Sequence, residues 1–450
     1  MEALALGLPL ALLAALSLYQ LGALSLWRDE VASVVFARGS LGDLVTIVGR
    51  DRDAVGLANM ATYYLVLHFW LALGNSEAWL RLPSVAFGVA TVIPVYLVGR
   101  RVGGWLVAGL AAAIFALIPF VIHYNQEVRG YSLSMLVAAG LTWLLLVGVE
   151  HRERTWPWLA YGIVAALGIY VHFFVALVVA AHGIWVLGTR QLPGWQGMLA
   201  ALVPISLAAT PIPFIVLQFG GEQEWVPPLS GPVAARALVG LAGSAPLLLA
   251  TSVLLGYGIV RLSADRRAWL LAGSVLLPIV GAVAISVVKP MFVGRYLIIV
   301  LPMLAVLLAW TLASMRPPAL ATAAALVLGA LLLVAVPSAY RDAHEQDWRA
   351  AGRWLATEVE PGDALIAQNG RRPLEYYIDA AGGLVPRSTR VALALDDATA
   401  QRVWVAVLGD QEPGYVADVP DRLSSAFATS ERRQFGDRLA ILLMTRRPAS

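Results

Sequence analysis

Three short polar stretches bring ionisable side chains to the ends of long apolar runs. The first is Trp27-Arg28-Asp29-Glu30, directly after the uncharged, mostly apolar run Ala3 to Leu26. Carboxylates at the edge of a membrane span are costly unless solvated or paired, which makes Asp29 and Glu30 functional candidates. Two readings of the pair stand side by side. Asp29 caps a helix that begins at Glu30, with both carboxylates solvated at the interface. Alternatively, Asp29 is a general base facing an outer cavity, and Glu30 orients a hydroxyl beside it.

The second stretch runs from His123 to Tyr131 and carries Gln126, Glu127 and Arg129. On a helix Gln126 would share a face with Arg129, and Glu127 with Tyr131. It reads either as a structural ion pair or headgroup contact, or as an anion site built on Arg129. The third stretch is Lys289-Pro290-Met291-Phe292-Val293-Gly294-Arg295-Tyr296. Two cations on one short turn read as a lipid-headgroup anchor or as a phosphate clamp, which Arg81 could join. His172, between two apolar runs, together with Tyr63, His68, Gln126, Glu127, Tyr131 and Tyr296, completes the set of candidate substrate-binding residues. Six histidines with no HxxxH or HExxH spacing give little support for a protein-built metal site.

These residues need a membrane framework. Of 450 residues 59% are hydrophobic and only 14% charged, which reads as a polytopic membrane protein. A formal charge of +3 is too small to point to nucleic acid. Without cysteine there is no thiolate metal site and no thiol nucleophile. Apolar runs near 3–26, 79–99, 104–122, 130–149, 157–171, 172–189, 197–218, 240–262, 268–288, 296–314 and 319–337 predict about eleven transmembrane helices, the first of them uncleaved. With a cytoplasmic N-terminus, Arg100, Arg101, Arg152, Arg154, Arg190, Arg261, Arg266, Arg267 and Arg316 fall inside, in line with the positive-inside tendency. Asp29, Arg129, Lys289 and Arg295 then fall outside. This topology requires that 56–73, with Tyr63, Tyr64, His68 and Trp70, lies at the interface without crossing. Residues 27–78 would then form a long outer loop with interfacial helices. After Pro337 the composition turns polar, and 338–450 is predicted to be a small α/β domain on the outer face. It should have a helix near 347–359 and strands at 364–367, 402–408 and 438–444. In the 219–239 loop, Glu222, Glu224, Trp225 and Pro227-Pro228 read as a connector or a sugar-stacking rim.

With these pieces in place the chain resembles the GT-C glycosyltransferases, specifically bacterial members related to protein O-mannosyltransferases and lipid A aminoarabinose transferases (family 39/83-like). The residues that carry the resemblance are Trp27 to Glu30, Arg81-Leu82-Pro83-Ser84 with Gly88, Gln126 to Tyr131, Tyr170-Val171-His172-Phe173-Phe174, and Gly294-Arg295-Tyr296 followed by Pro302. They fall in the family's order over about residues 1–315. Where many relatives have a His-Pro-Pro-Leu-Tyr type stretch, this chain reads Gly56 to Tyr64, which bears on the acceptor more than on the chemistry.

The resemblance implies a polyprenyl-phosphate sugar donor, an active site outside the cytoplasm in a bacterial plasma membrane, and inversion at the anomeric carbon. The acceptor would be a glycolipid, polysaccharide or protein hydroxyl. Asp29 would take the acceptor's proton, and Arg129, Arg295, Lys289 and Arg81 would meet the departing phosphate. Fixed cations at that phosphate make a divalent metal unnecessary, and no cofactor is expected, although some relatives use a metal. The competing classes are a lipid-linked sugar flippase or transporter, and an O-antigen ligase or polymerase.

Overall fold

A computed structural model describes residues 2–42, 58–214, 226–261, 266–341, 345–367, 370–396, 400–409 and 419–448. Glu222, Glu224 and Trp225 lie outside these residues. The chain divides into two compact units, residues 1–21 with 36–340 and residues 22–35 with 341–450.

Among the described residues the regular structure of the first unit is helical. Six of the described helices are long and apolar enough to cross a membrane, or seven when the bent pair Gly231–Ala242 and Ala245–Arg261 is taken as one span. Four further apolar helices are shorter, at Glu2–Leu18, Ala61–Leu73, Thr155–Ile169 and Val175–Thr189. The chain is therefore a multi-pass membrane protein. The eleven predicted spans are matched as a mostly helical, multi-pass architecture and not as an exact count.

The runs at 79–99 and 104–122 fall largely within Glu77–Leu117, which is two helices joined where Gly103 and Gly104 leave helical geometry; the chain turns back there, so that a Cβ on Gly99 would lie 2.8 Å from Ala108 Cα. Gly104 takes φ +78, a left-handed conformation that glycine adopts without a Cβ penalty. Gly243, at φ +94, likewise ends Gly231–Ala242 ahead of an 87° bend. Gly294–Ser314 is the most enclosed span, with 78% of its apolar window buried, whereas 11% of the Pro318–Tyr340 window is buried, leaving that helix for lipid. The segment expected at the interface folds as a ten-residue helix, Ala61–Trp70, too short to cross.

The second unit holds a five-stranded mixed sheet. In chain order its strands are β1 (Ala364–Ile366), β2 (Arg387–Ser388), β3 (Arg402–Leu408), β4 (Phe427–Gln434) and β5 (Leu439–Arg446), arranged β2-β1-β3-β5-β4. β1 runs parallel to both its neighbours, while β5 runs antiparallel to β3 and β4. Val403, Val405, Phe427, Leu442 and Met444 form its apolar core. The helix Trp348–Glu358 is capped by Asp347, whose carboxylate accepts from the Ala350 amide at 3.0 Å.

Residues 22–35 belong to this unit through specific bonds. The Leu26 amide donates to the buried Tyr377 hydroxyl at 2.7 Å. Ser25 Oγ accepts from the Trp348 amide, and Arg349 donates to the Gly22 carbonyl. Replacing Tyr377 by Phe leaves a buried N–H without its acceptor and is expected to cost about 1–3 kcal/mol. Thermal unfolding of the detergent-solubilised variant measures this, and an unchanged midpoint would show that the bond contributes nothing.

Candidate functional site

The side chains predicted to do chemistry fall in both units, and each group is described within its own. In the second unit, Asp29 and Glu30 open the helix Arg28–Arg38. Glu30 is 1% exposed, and its Oε2 accepts from the Trp27 amide at 3.2 Å. This is one half of a capping box, which satisfies an amide that the first turn cannot. Glu30 thus fixes the helix start that presents Asp29. The Asp29 side chain is 20% exposed, with Oδ1 at 3.5 Å from Arg28 Nε.

In the first unit, polar residues surround the turn 125–130. Asn125 is fully buried; its amide donates to Ser17 Oγ at 3.0 Å, and its Oδ1 accepts from Ser132 Oγ at 2.9 Å. The space for Asn125 exists because residue 88 is glycine: a Cβ there would lie 1.9 Å from Asn125 Oδ1. Helix propensity alone makes Gly88→Ala stabilising by about 1 kcal/mol. The displaced Asn125 reverses the sign, and a net loss of about 2–3 kcal/mol is expected. A raised melting temperature in detergent would contradict this account.

On the far side of the turn, Ser84 Oγ donates to the Arg129 carbonyl at 3.2 Å and meets the Tyr63 hydroxyl at 2.9 Å. Since Ser84 has one proton, Tyr63 is the donor of the second bond. The Arg129 guanidinium reaches the Tyr64 hydroxyl at 3.3 Å and lies 5.7 Å from the Tyr131 ring centroid.

The 3-10 element Gly294–Val300 carries Arg295, whose guanidinium sits 5.9 Å from the Tyr296 ring centroid. Both arginines act on His172, on the connector from Thr155–Ile169 to Val175–Thr189. Its ring centroid is 4.8 Å from that of Tyr296 and 6.1 Å from that of Tyr131. Burial, then the charges of Arg129 and Arg295, lower its pKa to about 3, which keeps it neutral. The connector is held by the segment that precedes helix Ala61–Trp70. The Phe173 amide donates to Asn59 Oδ1 at 2.8 Å, and the Thr62 amide donates to the Tyr170 carbonyl at 3.1 Å.

The remaining predicted residues bond to backbone. Gln126 Nε2 donates to the Ser17 and Tyr19 carbonyls at the end of the first helix, which have no helical partner. Arg81 donates to the Leu21 carbonyl at 2.8 Å. His68 Nδ1 is 2.8 Å from the Ala37 carbonyl. Lys289 sits half-buried just past the end of helix Arg266–Val288. His123 Nδ1 faces the Ala339 carbonyl at 3.0 Å, so it carries the ring proton, and its Nε2 lies 3.4 Å from Glu127 Oε1. That contact is attractive only when a second proton resides on the His123–Glu127 pair. Among the described residues no group of three or more His, Asp or Glu side chains could hold a metal ion.

Sequence reasoning passed through Tyr64, Ser84, Asn125 and Asn59 without placing them among the site residues. The available signal was small polar residues, Ser17, Ser84 and Ser132, interrupting apolar helices.

A protein-family model for dolichyl-phosphate-mannose-protein mannosyltransferases matches residues 59–214, about a third of the chain, including Arg129 and His172. The structure of ArnT from Cupriavidus metallidurans bound to undecaprenyl phosphate superposes with TM-score 0.65 at 13% identity, over 97% of each chain. The chain has the GT-C fold. It resembles ArnT in fold, and residues 59–214 resemble the protein mannosyltransferases in sequence. The arabinofuranosyltransferase AftD from Mycobacteria matches with TM-score 0.58 at 16% identity, over 99% of this chain and 42% of AftD. The oligosaccharyltransferase AglB from Archaeoglobus fulgidus, in complex with an inhibitory peptide and a dolichol-phosphate, matches with TM-score 0.51 at 12% identity, over 88% of this chain and 69% of AglB. Comparison with curated protein sequences gives no match.

Proposed function

We propose that this GT-C protein is a glycosyltransferase that moves a sugar of mannose or pentose type from a polyprenyl phosphate to an acceptor hydroxyl, with inversion. The reaction takes place on the extracytoplasmic face of a bacterial plasma membrane. The observation that carries this reading is that Arg129 and Arg295 both act on the buried His172, with an apolar cavity at the far end of the element that carries Arg295. The cavity, of about 220 Å³, is lined by residues including Ile118, Leu241, Leu247, Val300, Leu304 and Leu332. Arg295 and Val300 share one 3-10 element, so at about 2 Å of rise per residue they are about 10 Å apart along it. A cationic pocket that distance from a hydrocarbon-lined one suits an amphiphile with an anionic head and an apolar tail. ArnT was solved with undecaprenyl phosphate and AglB with a dolichol-phosphate, which supports this class of ligand.

In the proposed reaction Asp29 accepts the proton of the acceptor hydroxyl as its oxygen bonds to the anomeric carbon. The bond from that carbon to the phosphate oxygen breaks, and polyprenyl phosphate leaves with the electron pair. Arg129 and Arg295 meet the charge that grows on the phosphate. Glu30 fixes the start of the helix that carries Asp29.

The test is a transfer assay in membrane vesicles containing the protein and a labelled polyprenyl-phosphate sugar. Label moving to an acceptor, with release of polyprenyl phosphate, supports the reading. Label crossing the bilayer with its phosphate bond intact would show a flippase instead.

A further inference from the structure

We infer that His172 is a neutral hydrogen-bond donor, locked in one tautomer, that supplies its Nε2–H to a phosphate oxygen held between Arg129 and Arg295. The inference rests on the anion-pocket reading above and adds to it a specific atom and its proton.

The tautomer follows from one bond. The Phe174 amide lies 3.2 Å from His172 Nδ1. A backbone N–H can only donate, so Nδ1 is the acceptor and bears no proton. The ring is neutral, so its single proton is on Nε2. That nitrogen is buried with no hydrogen-bond partner, in a residue 2% exposed. Buried N–H groups without partners are rare in folded proteins, and this one belongs to a ring on which two cations act, which suits an anionic acceptor.

The chemistry of the acceptor follows from its neighbours. Two guanidinium groups and an imidazole Nε2–H can only donate. A sugar hydroxyl placed among them would bring a proton of its own and need a further acceptor. A phosphate oxygen accepts from all three and matches their charge. The rings of Tyr131, Phe174 and Tyr296, with centroids 4.8–6.1 Å from that of His172, hold the imidazole in place. The same bonding state excludes His172 as a general base, because Nδ1 is occupied and Nε2 is already protonated.

The test compares wild type with His172→Phe and His172→Gln in detergent. Both variants lose the Nδ1 acceptor, but Gln keeps an N–H near the Nε2 position, and Phe keeps the ring packing. The probes are undecaprenyl phosphate, inorganic phosphate, and undecaprenol, which lacks the phosphate. The Phe variant is expected to bind undecaprenyl phosphate about 10–100-fold more weakly, and the Gln variant within about 3-fold of wild type. Binding of inorganic phosphate should weaken in parallel, whereas any binding of undecaprenol should be unaffected.

In ¹⁵N-histidine-labelled wild type, the His172 Nε2 signal should be that of a protonated nitrogen from about pH 4.5 to 7.5 and should move when undecaprenyl phosphate is added. Wild-type affinity in the Phe variant, or a proton found on Nδ1, overturns the assignment while leaving the anion pocket standing. Failure of wild type to bind either phosphate probe overturns both. The wild-type spectrum decides the matter even where a variant fails to fold.

Discussion

Asp29→Asn is expected to lower the transfer rate by about 10²- to 10⁴-fold, the usual contribution of a positioned general base. The substitution keeps size and polarity but removes the ability to take a proton. The Asp29 side chain lies within 3.5 Å of Arg28 and is partly exposed, so the loss of charge should leave stability nearly unchanged. The fall should appear in kcat with the apparent KM for the donor preserved, since Asp29 is assigned to the acceptor's proton and not to the phosphate. Single-turnover transfer with saturating labelled donor measures it. A folded variant that transfers at the wild-type rate would remove Asp29 as the base. Glu30→Gln should behave differently. An amide oxygen still accepts from the Trp27 N–H, so the helix start survives and transfer should fall far less than in Asp29→Asn.

The second large effect is expected at the arginines. Arg295→Ala and Arg129→Ala should each lower kcat/KM for the donor by about 10²- to 10³-fold, as loss of one preorganised charge-stabilising donor does. Their placement makes a large effect reasonable. Arg129 follows a turn fixed by Ser84 and Asn125, and Arg295 sits on a short 3-10 element against Tyr296, so neither cation has to be ordered at the moment of reaction. Lysine at either position should recover only part of the activity, because an ammonium cannot reproduce the planar fork of a guanidinium. Initial rates over a range of donor concentrations test this. Unaltered apparent donor affinity in both alanine variants would take the arginines out of the phosphate site.

The elements were more legible than the contacts. Runs of uninterrupted apolar residues mark helices in a bilayer because every backbone group must bond within its own segment there. Gly103-Gly104 falls between two predicted runs and does separate two helices, whereas the break at Gly243-Ser244 lies near the start of the run 240–262 and run length alone did not show it. β1, β3, β5 and helix Trp348–Glu358 were legible as apolar or amphipathic stretches. β4, with its sequence FATSERRQ, was not, because an edge strand facing solvent keeps charged residues along most of its length.

The same division holds among the polar residues. Gln126, Arg81 and Glu30 are chemically able to bind a substrate, and their types give no sign of the alternative use. Each bonds to a backbone group left over where a helix begins or the chain leaves one, and those vacancies exist only once the helix ends are known.

Composition and order by themselves determined that this chain lives in a membrane and that its ionisable groups gather at a few turns, and they offered Asp29 and Glu30, the cations Arg81, Arg129, Lys289 and Arg295, and His172 among the candidates. Tertiary structure decided which of them meet. Arg129, His172 and Arg295 are separated by more than a hundred and sixty residues end to end, yet both arginines act on the buried His172 ring. It also decided that residues 22–35, with Asp29 and Glu30, fold with the C-terminal unit through Leu26, Ser25 and Tyr377. Long-range partners of this kind depend on a few hydrogen bonds between distant segments, and such bonds leave no periodicity in a sequence to be read.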